Sequence, residues 1–128
     1  MRMKTRTLAA LCVSILLVAS CSSAPPLPTT TETLTWTFTS NHPNQVQLSF
    51  YSQDRNAAWP GGDMAYDLVD WEPHTFTLTC RTGEKICYGA WEKGASDYWG
   101  SGFGDAQACD DCCRTCVTGS AGHTVLDP

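Results

Sequence analysis

Four cysteines fall within eight residues near the end of this chain, at Cys109, Cys112, Cys113 and Cys116. Two more cysteines, Cys80 and Cys87, lie a short distance upstream. The whole chain has 8 cysteines in 128 residues, and such a density indicates either a disulfide framework or a metal site. Both kinds of cross-link hold distant parts of a chain together, so we expect a small domain that is closed near its C-terminal end.

The beginning of the chain has the order of a secretory signal. Residues 1–7 carry three positive charges, and residues 8–19 form an uncharged, mostly apolar run. A basic segment followed by an apolar segment of this length is typical of an export signal. Twelve helical residues span only about 18 Å, less than the bilayer core of about 30 Å. A permanent transmembrane helix is therefore not expected.

The apolar run ends in the sequence Val18-Ala19-Ser20-Cys21. These residues resemble the lipobox of bacterial lipoproteins, in which an aliphatic residue and two small residues precede a cysteine. The resemblance implies that residues 1–20 are a signal peptide and that Cys21 is the lipid attachment site, with a diacylglyceryl group on sulfur and a further acyl chain on the amine. It also implies a protein held at the cell envelope. In a Gram-negative cell, Ser22 after the cysteine implies the outer membrane.

The number of cysteines distinguishes lipidation from an ordinary cleaved signal. Cys12 lies inside the apolar run and is removed in both cases. Lipidation of Cys21 then leaves six cysteines, which can all pair, whereas an ordinary signal leaves seven and one unpaired thiol. The even number favours lipidation.

Residues 21–32 are predicted to be the lipid anchor and a Pro/Thr-rich tether. Pro25, Pro26 and Pro28 favour an extended polyproline II conformation, which rises about 3.1 Å per residue. A tether of this length holds the following domain about 30 Å from the lipid.

Residues 33–118 are predicted to be a cysteine-rich β domain. Alternation of apolar and polar side chains predicts strands at 33–39, 45–50, 74–80 and 86–91,. Shorter strands are expected near 66–69 and 98–100, and little regular structure is expected in the cysteine cluster. Short loops at 41–44 and 82–85 predict two hairpins, the second with Gly83 in a type II′ turn. Residues 119–128 are predicted to be a loose tail.

No segment shows a sustained helical period, so the fold is predicted to be mainly β. We expect a small antiparallel β sandwich or open barrel that is stapled by disulfides near its C-terminus, after a signal peptide and a flexible tether.

The second predicted hairpin places Cys80 opposite Cys87. Their sulfurs would then emerge on one face, either bonded directly to each other, with some strain, or bonded to the cluster at 109–116. Six cysteines allow 15 connectivities, and the sequence does not choose among them. The side chains of Cys112 and Cys113 diverge, so we expect these two residues to have different partners.

The same cysteines have an alternative role as zinc ligands. Cys109 and Cys112, like Cys113 and Cys116, have the spacing with which two thiolates hold one zinc ion. An exported chain meets an oxidising environment, which favours disulfides over thiolates. A redox-active pair is disfavoured as well, because neighbouring Asp110 and Asp111 would raise the thiol pKa. We therefore expect structural disulfides and no metal or other cofactor.

Large aromatic side chains offer the other candidate site. Trp59, Tyr98 and Trp99 fall at loops or strand ends, where exposed aromatic rings can contact sugar rings or a protein partner. Trp36 and Trp91 are expected in the core. The three histidines, His42, His74 and His123, are expected to be surface residues of turns or of the tail.

Charge and motifs limit the function. The net charge is −5, and without the three basic residues at the start it is −8. An acidic chain argues against nucleic acid as a partner. No catalytic set is recognisable, and the sequence predicts a non-catalytic envelope lipoprotein with a structural or binding role, held on the membrane through Cys21 and contacting an envelope protein or glycan. The alternatives are a zinc-stabilised or carbohydrate-binding module and, in third place, an envelope hydrolase with loop carboxylates.

Overall fold

The computed structural model describes residues 20–128. The signal peptide predicted for residues 1–20 therefore lies, apart from Ser20, outside the described residues. The described part forms nine strands and one short 3₁₀ turn: β1 Thr31–Ser40, β2 Val46–Ser52, β3 Ala58–Trp59, β4 Tyr66–Leu68, β5 His74–Arg81, β6 Lys85–Glu92, β7 Tyr98–Gly100, the 3₁₀ turn Phe103–Asp105, β8 Cys113–Thr115 and β9 Ala121–Leu126. Within this part of the chain, no helix has the length and apolar character needed to cross a bilayer.

Two sheets account for all nine strands. The smaller sheet has the order β5-β1-β9, with β5 antiparallel and β9 parallel to the central strand. In the larger sheet β2 and β6 are central, β3 and β4 pair with the free edge of β2, and β7 and β8 pair with the free edge of β6. The mainly β fold is confirmed, and the expected antiparallel pairing holds for every pair except β1 with β9.

The core lies between the two sheets. From the smaller sheet, Trp36 and Phe38 reach across to Tyr88 of the larger sheet, with ring centroids 5.5 Å and 4.9 Å apart. Phe38 also contacts Phe50 edge-on at 5.6 Å, an arrangement that suits the quadrupoles of aromatic rings. These side chains come from the apolar positions of the alternating strands, so the pattern of alternation correctly identified the buried face of β1, β2 and β5.

The two predicted hairpins are wrong. The loop at 41–44 joins β1 of the smaller sheet to β2 of the larger sheet, and the turn after β5 likewise leads into β6 of the larger sheet. In that turn Glu84 N–H donates to the carbonyl of Arg81, and Gly83 has a φ of 80°. Gly83 is therefore the third residue of a type II turn. Turns of this type splay the flanking strands, and the chain can pass from one sheet to the other.

The tail predicted at 119–128 is also not loose. Residues 121–126 form β9, which lies parallel to β1 from Thr35 to Ser40. Leu126 is fully buried in the core, and the backbone N–H of Asn41 donates to its carbonyl. The six residues contain only one large buried side chain, so their alternation is too weak to reveal a strand in the sequence.

Three disulfides join the six cysteines of the domain. Cys80 bonds to Cys116, Cys87 bonds to Cys113, and Cys109 bonds to Cys112. The adjacent cysteines at 112 and 113 have different partners, as expected. A direct bond between Cys80 and Cys87 is not formed, because β5 and β6 belong to different sheets and their residues do not face each other.

Each disulfide closes a different part of the sandwich. Cys80–Cys116 ties β5 of the smaller sheet to the segment that follows β8 of the larger sheet. Cys87–Cys113 joins directly opposite residues of β6 and β8, whose Cα atoms are 4.0 Å apart. Cys109–Cys112 closes the short loop before β8. Within the cluster at 109–116, only Cys113–Thr115 forms a strand, and the other residues have little regular structure, as the sequence predicts.

Candidate functional site

The two ends of the sandwich differ in what they carry. β1 begins at Thr31, opposite Arg81, and its far end lies beside His74. The residues before β1, 20–30, are exposed and belong to no strand or helix. Thr30 accepts a hydrogen bond from the backbone N–H of Thr82. The proposed tether therefore joins the sandwich at the end that holds the turn at 81–84, which we call the tether end.

Loops gather at the opposite end, which we call the distal end. The ten residues of β1 place it about 33 Å from the tether end. The loops 41–45, 69–73 and 93–97 meet there, and a pocket of about 260 Å³ lies between the first two. Val69 and Trp71 beside the pocket are 69% and 70% exposed. Two large apolar side chains that are this exposed and close together are typical of a contact surface.

His42 is the most buried titratable group at the distal end. It is only 7% exposed, which corrects the expectation that it is a surface residue. Its Nε2 lies 3.4 Å from Asp97 Oδ2, and its ring packs edge-on against Trp99 at 5.4 Å. Glu92, also buried, accepts a hydrogen bond from the side-chain amide of Asn44. His74 begins β5 and pairs with Asp70, and His123 lies within β9.

The ligand atoms of His42, Glu92 and Asp97 lie within 4.8 Å of one another, a spacing that a metal ion can bridge. The tautomer of the histidine does not fit this role. His42 Nδ1 accepts a hydrogen bond from the backbone N–H of Asn44, so the proton of the neutral ring is on Nε2. A protonated nitrogen has no lone pair for a metal, and it donates instead to the neighbouring carboxylate. We interpret the cluster as a structural support for the loops.

The carboxylate of Asp70, also at the distal end, is hydrogen-bonded to His74. The imidazole of His74, and next the backbone N–H of Glu72, donate to Asp70 and lower the pKa of its carboxyl group. These bonds brace the loop that carries Trp71 against the first residue of β5.

The outer face of the larger sheet carries a second concave surface. Alternate residues of its two central strands point away from the core, and they fall into rows across the sheet. The first row contains Gln47 and Trp91, the second contains Ser49 and Gly89, and the third begins with Tyr51. The small side chain of Ser49 in the middle row forms the floor of a depression between Trp91 and Tyr51, whereas Gly89 is covered by the hydroxyl of Tyr98.

We call this depression the aromatic trough. It has a volume of about 270 Å³ and is lined by Ser49, Tyr51, Ala58, Gly62, Asp63, Met64 and Trp91. The loop between β3 and β4 forms one wall, where Met64 is 65% exposed. Ser49 Oγ donates to the carbonyl of Met64 and fixes that wall to the floor.

Hydrogen bonds hold the tryptophan of the trough in position. Trp91 Nε1 donates to Gln47 Oε1 at 3.1 Å, and Gln47 Nε2 donates to Asp67 Oδ1 at 3.2 Å. On its other side Trp91 is nearly parallel to Tyr98, with ring centroids 6.5 Å apart. A ring that is fixed by both a hydrogen bond and a neighbouring ring loses little conformational entropy when it contacts a ligand.

Tyr98 closes the trough beyond Trp91. Its hydroxyl lies over Gly89 and Gly102, at positions where a Cβ on either glycine would clash with it. Burial, and next the proximity of Tyr51 and Tyr88, raises the pKa of the Tyr98 hydroxyl. The group is therefore a neutral phenol at physiological pH.

The three aromatic residues predicted from the sequence are divided between two surfaces. Tyr98 lies on the outer face beside the trough. Trp59 and Trp99 pack against the core with partial exposure; Trp99 donates to the carbonyl of Asp127, and Trp59 lies under the guanidinium of Arg55. Both are anchored within the fold and do not form one surface with Tyr98.

Trp91 was assigned to the core, and this was wrong. In β6, Ile86, Tyr88 and Ala90 face the core, so Trp91 faces outwards with Gly89. The error arose because Cys87 and Gly89 are also buried, under β8 and Tyr98, which hides the alternation of the strand. Tyr51 was missed as well, although its position two and four residues after Ser49 and Gln47 indicates the outer face.

The remaining predicted ligands do not form a site. All six cysteines of the predicted zinc alternative are in disulfides, so they provide no thiolate. Cys21 is exposed and is the one free cysteine of residues 20–128. Asp63, Asp67, Asp70 and Glu72, whose spacing matches no calcium-binding loop, are exposed.

Comparison of this chain with models of known protein families, with curated proteins and with solved structures finds no match.

Proposed function

We propose that this protein is a lipid-anchored protein of the bacterial cell envelope whose β domain binds a partner without catalysing a reaction. Cys21 carries the lipid, and the exposed segment that follows it connects the membrane to the sandwich. The observation that carries the proposal is the placement of Cys21. It is a free, exposed cysteine that lies outside the sandwich and directly after the lipobox-like residues.

The geometry of the sandwich supports a binding role. The tether enters at one end, and the exposed Val69 and Trp71 lie about 33 Å away at the distal end,. A domain held in this way presents its distal loops and the sides of its sheets away from the lipid. Several acyl chains, at about 0.8 kcal/mol per buried CH₂, are enough to make such an anchor stable.

The anchor is tested by Cys21→Ser in the full chain, expressed in a Gram-negative host. We expect the wild-type protein to sediment with membranes and to incorporate a fatty-acid label, and the variant to do neither. Ser23→Ala, two residues along the same exposed segment, is the matched control and should behave like wild type. If the Cys21→Ser protein stays in the membrane fraction with its label, the anchor assignment is wrong.

A further inference from the structure

We propose that the aromatic trough is a binding site for one neutral pyranose ring of a saccharide chain. The inference rests on the proposed binding role and names its ligand class. It concerns the outer face of the larger sheet, between Trp91 and Tyr51, and not the distal end.

Aromatic side chains lie at both ends of the trough. Tyr51 is four residues along β2 from Gln47, which faces Trp91 across the sheet, so the two aromatic residues arise about 14 Å apart along the strand. Between them, the small side chain of Ser49 keeps the floor low. A pyranose ring has apolar C–H faces that pack on aromatic side chains, and the trough offers an aromatic side chain at each end.

Polar groups around the trough match the hydroxyl rim of a sugar. Asp63 provides a carboxylate acceptor on the loop wall, and the floor contains the Ser49 hydroxyl. The amide of Gln47 lies behind Trp91, bonded to both Trp91 and Asp67. The trough therefore combines polar groups with aromatic side chains, as a ligand with both hydroxyl groups and apolar C–H faces requires.

The negative charges around the trough favour a neutral ligand over an anionic one. Asp63 is the one charged residue that lines the trough, and no lysine or arginine lines it among residues 20–128. Asp67 adds a second negative charge behind Gln47. Uronic acids and phosphorylated sugars would be repelled, because they would meet these carboxylates without a cation to pair with. Hexoses and N-acetylhexosamines carry no such charge.

The test uses the full lipidated chain in zwitterionic detergent micelles, because glycoside detergents would compete. Neutral oligosaccharides of glucose, galactose, mannose and N-acetylglucosamine are titrated, with oligogalacturonate as the anionic probe, and binding is followed by tryptophan fluorescence and calorimetry. We expect at least one neutral probe to bind and oligogalacturonate not to bind. Trp91→Ala should weaken binding about tenfold or more, since the stacked ring contributes about 1.4 kcal/mol.

Two further variants keep the test valid if Trp91→Ala does not fold. Met64 and Asp63 are exposed, so Met64→Ala and Asp63→Asn should leave the fold intact and weaken binding about threefold to tenfold. Val125→Ala, at an exposed residue of β9 in the smaller sheet, is the control and should leave the Kd within about twofold,. Trp71→Ala tests whether the distal end binds the saccharide instead.

Three results would overturn the inference. One is that no neutral probe binds at up to about 10 mM. Another is that Met64→Ala and Asp63→Asn leave the Kd unchanged, and the last is that Trp71→Ala, and not the trough variants, abolishes binding. None of these results bears on the lipid anchor. A chain that remains on the membrane through Cys21 but binds no saccharide would contradict only the saccharide inference.

Discussion

Individual glycines determine how closely the aromatic residues approach the strands of the larger sheet. Gly89 and Gly102 leave space for the hydroxyl of Tyr98, and Gly100 lies directly against Tyr88. A Cβ on Gly100 would clash with the carbonyl oxygen of Tyr88, and the φ of this glycine is 89°. The trough and the core on the other side of the sheet therefore both depend on residues without a side chain.

Gly100→Ala should destabilise the protein more than Gly94→Ala. Both glycines have a positive φ, but a Cβ on Gly94 meets no atom within 4 Å. The control should cost about 1–2 kcal/mol for the left-handed backbone alone, and Gly100→Ala should cost about 2–5 kcal/mol because it adds a backbone clash. Urea unfolding of the oxidised proteins measures both. Equal losses would show that the strand moves to accommodate the methyl group.

The stability of the fold at acid pH depends on the buried carboxylate of Glu84. It is 4% exposed, and its partners are the guanidinium of Arg55 and the backbone N–H of Arg81. Burial alone would raise the pKa of Glu84, but these hydrogen bonds outweigh it, and the pKa is lowered from 4.5. A folded-state pKa below the unfolded value stabilises the protein above pH 4.5, and this stabilisation is lost as the pH falls through the folded-state pKa,.

Glu84→Gln should therefore reduce both the stability and its dependence on acid pH. At pH 7 we expect a loss of about 1–3 kcal/mol, because Arg55 loses its charged partner. As the pH falls below 4.5 the wild-type protein should lose stability faster than the variant. Thermal unfolding across this range, with exposed Glu72→Gln as the control, measures the effect. Parallel curves for wild type and Glu84→Gln would rule out the role of this carboxylate.

At the scale of elements, long strands that are neighbours in the sequence do not pair with each other in the sheets. β1 pairs with β5 and β9, and β2 pairs with β6, so β1 and β2 lie in different sheets although they follow each other in the sequence, and the same holds for β5 and β6. β9 covers one edge of β1, and β5 covers the other. The last strand is therefore part of the sandwich, and the core depends on it.

Leu126→Ala tests this placement of β9. Leu126 is fully buried, whereas its neighbour Val125 is 46% exposed on the same strand. Leu126→Ala should lower the free energy of unfolding by about 2–5 kcal/mol, and Val125→Ala should change it by less than about 1 kcal/mol. Chemical unfolding gives both values, and similar small effects of the two substitutions would mean that the segment is not packed in solution.

The sequence predicted the strands better than it predicted their pairing. Alternation located β1, β2, β5 and β6 within two residues at each end and identified most of the core,. It could not distinguish a hairpin from a crossing between sheets, since that depends on whether Gly83 is the second or the third residue of its turn. Each of the two possibilities gives a positive φ at the same glycine.

The candidate site was predicted less well, for a related reason. Tyr98, which was predicted as a surface aromatic, is half-buried beside the trough, and the residues that line the trough come from β2, β3, β6 and the loop before β4. Their proximity follows from the pairing of β2 with β6, which no local pattern indicates. Trp91 was the clearest omission. Cys87 and Gly89 precede it on the outer face, and both are buried without facing the core, so the strand shows no clear alternation.

At the scale of the whole molecule, the disulfides close loops of very different length. Cys80–Cys116 spans 36 residues and joins the two sheets, whereas Cys109–Cys112 spans 3 residues and links the exposed Cys109 to the buried Cys112. In the chain-entropy account a longer loop stabilises more, because it restricts the unfolded chain more strongly. The six cysteines therefore contribute unequally to a domain of this size.

Removing the two disulfides separately should show this difference. Replacing Cys80 and Cys116 together by alanine should cost about 4 kcal/mol, and replacing Cys109 and Cys112 together about 2 kcal/mol or less. Thermal unfolding under non-reducing conditions compares the two variants. A larger loss from the Cys109 and Cys112 pair would contradict the assigned role of Cys80–Cys116 as the main link between the sheets.

We propose that Cys21 anchors the protein, while the six cysteines of the sandwich hold the domain closed through three disulfides. Intact-mass measurement of the protein extracted from membranes, alkylated before and after reduction, tests both parts together. We predict a chain that begins at Cys21 and carries diacylglycerol and an acyl group, with six alkylated thiols after reduction and none before, as three disulfides require. A chain without lipid would show that Cys21 is not the anchor, and thiols that are alkylated without reduction would show that the disulfides are not formed.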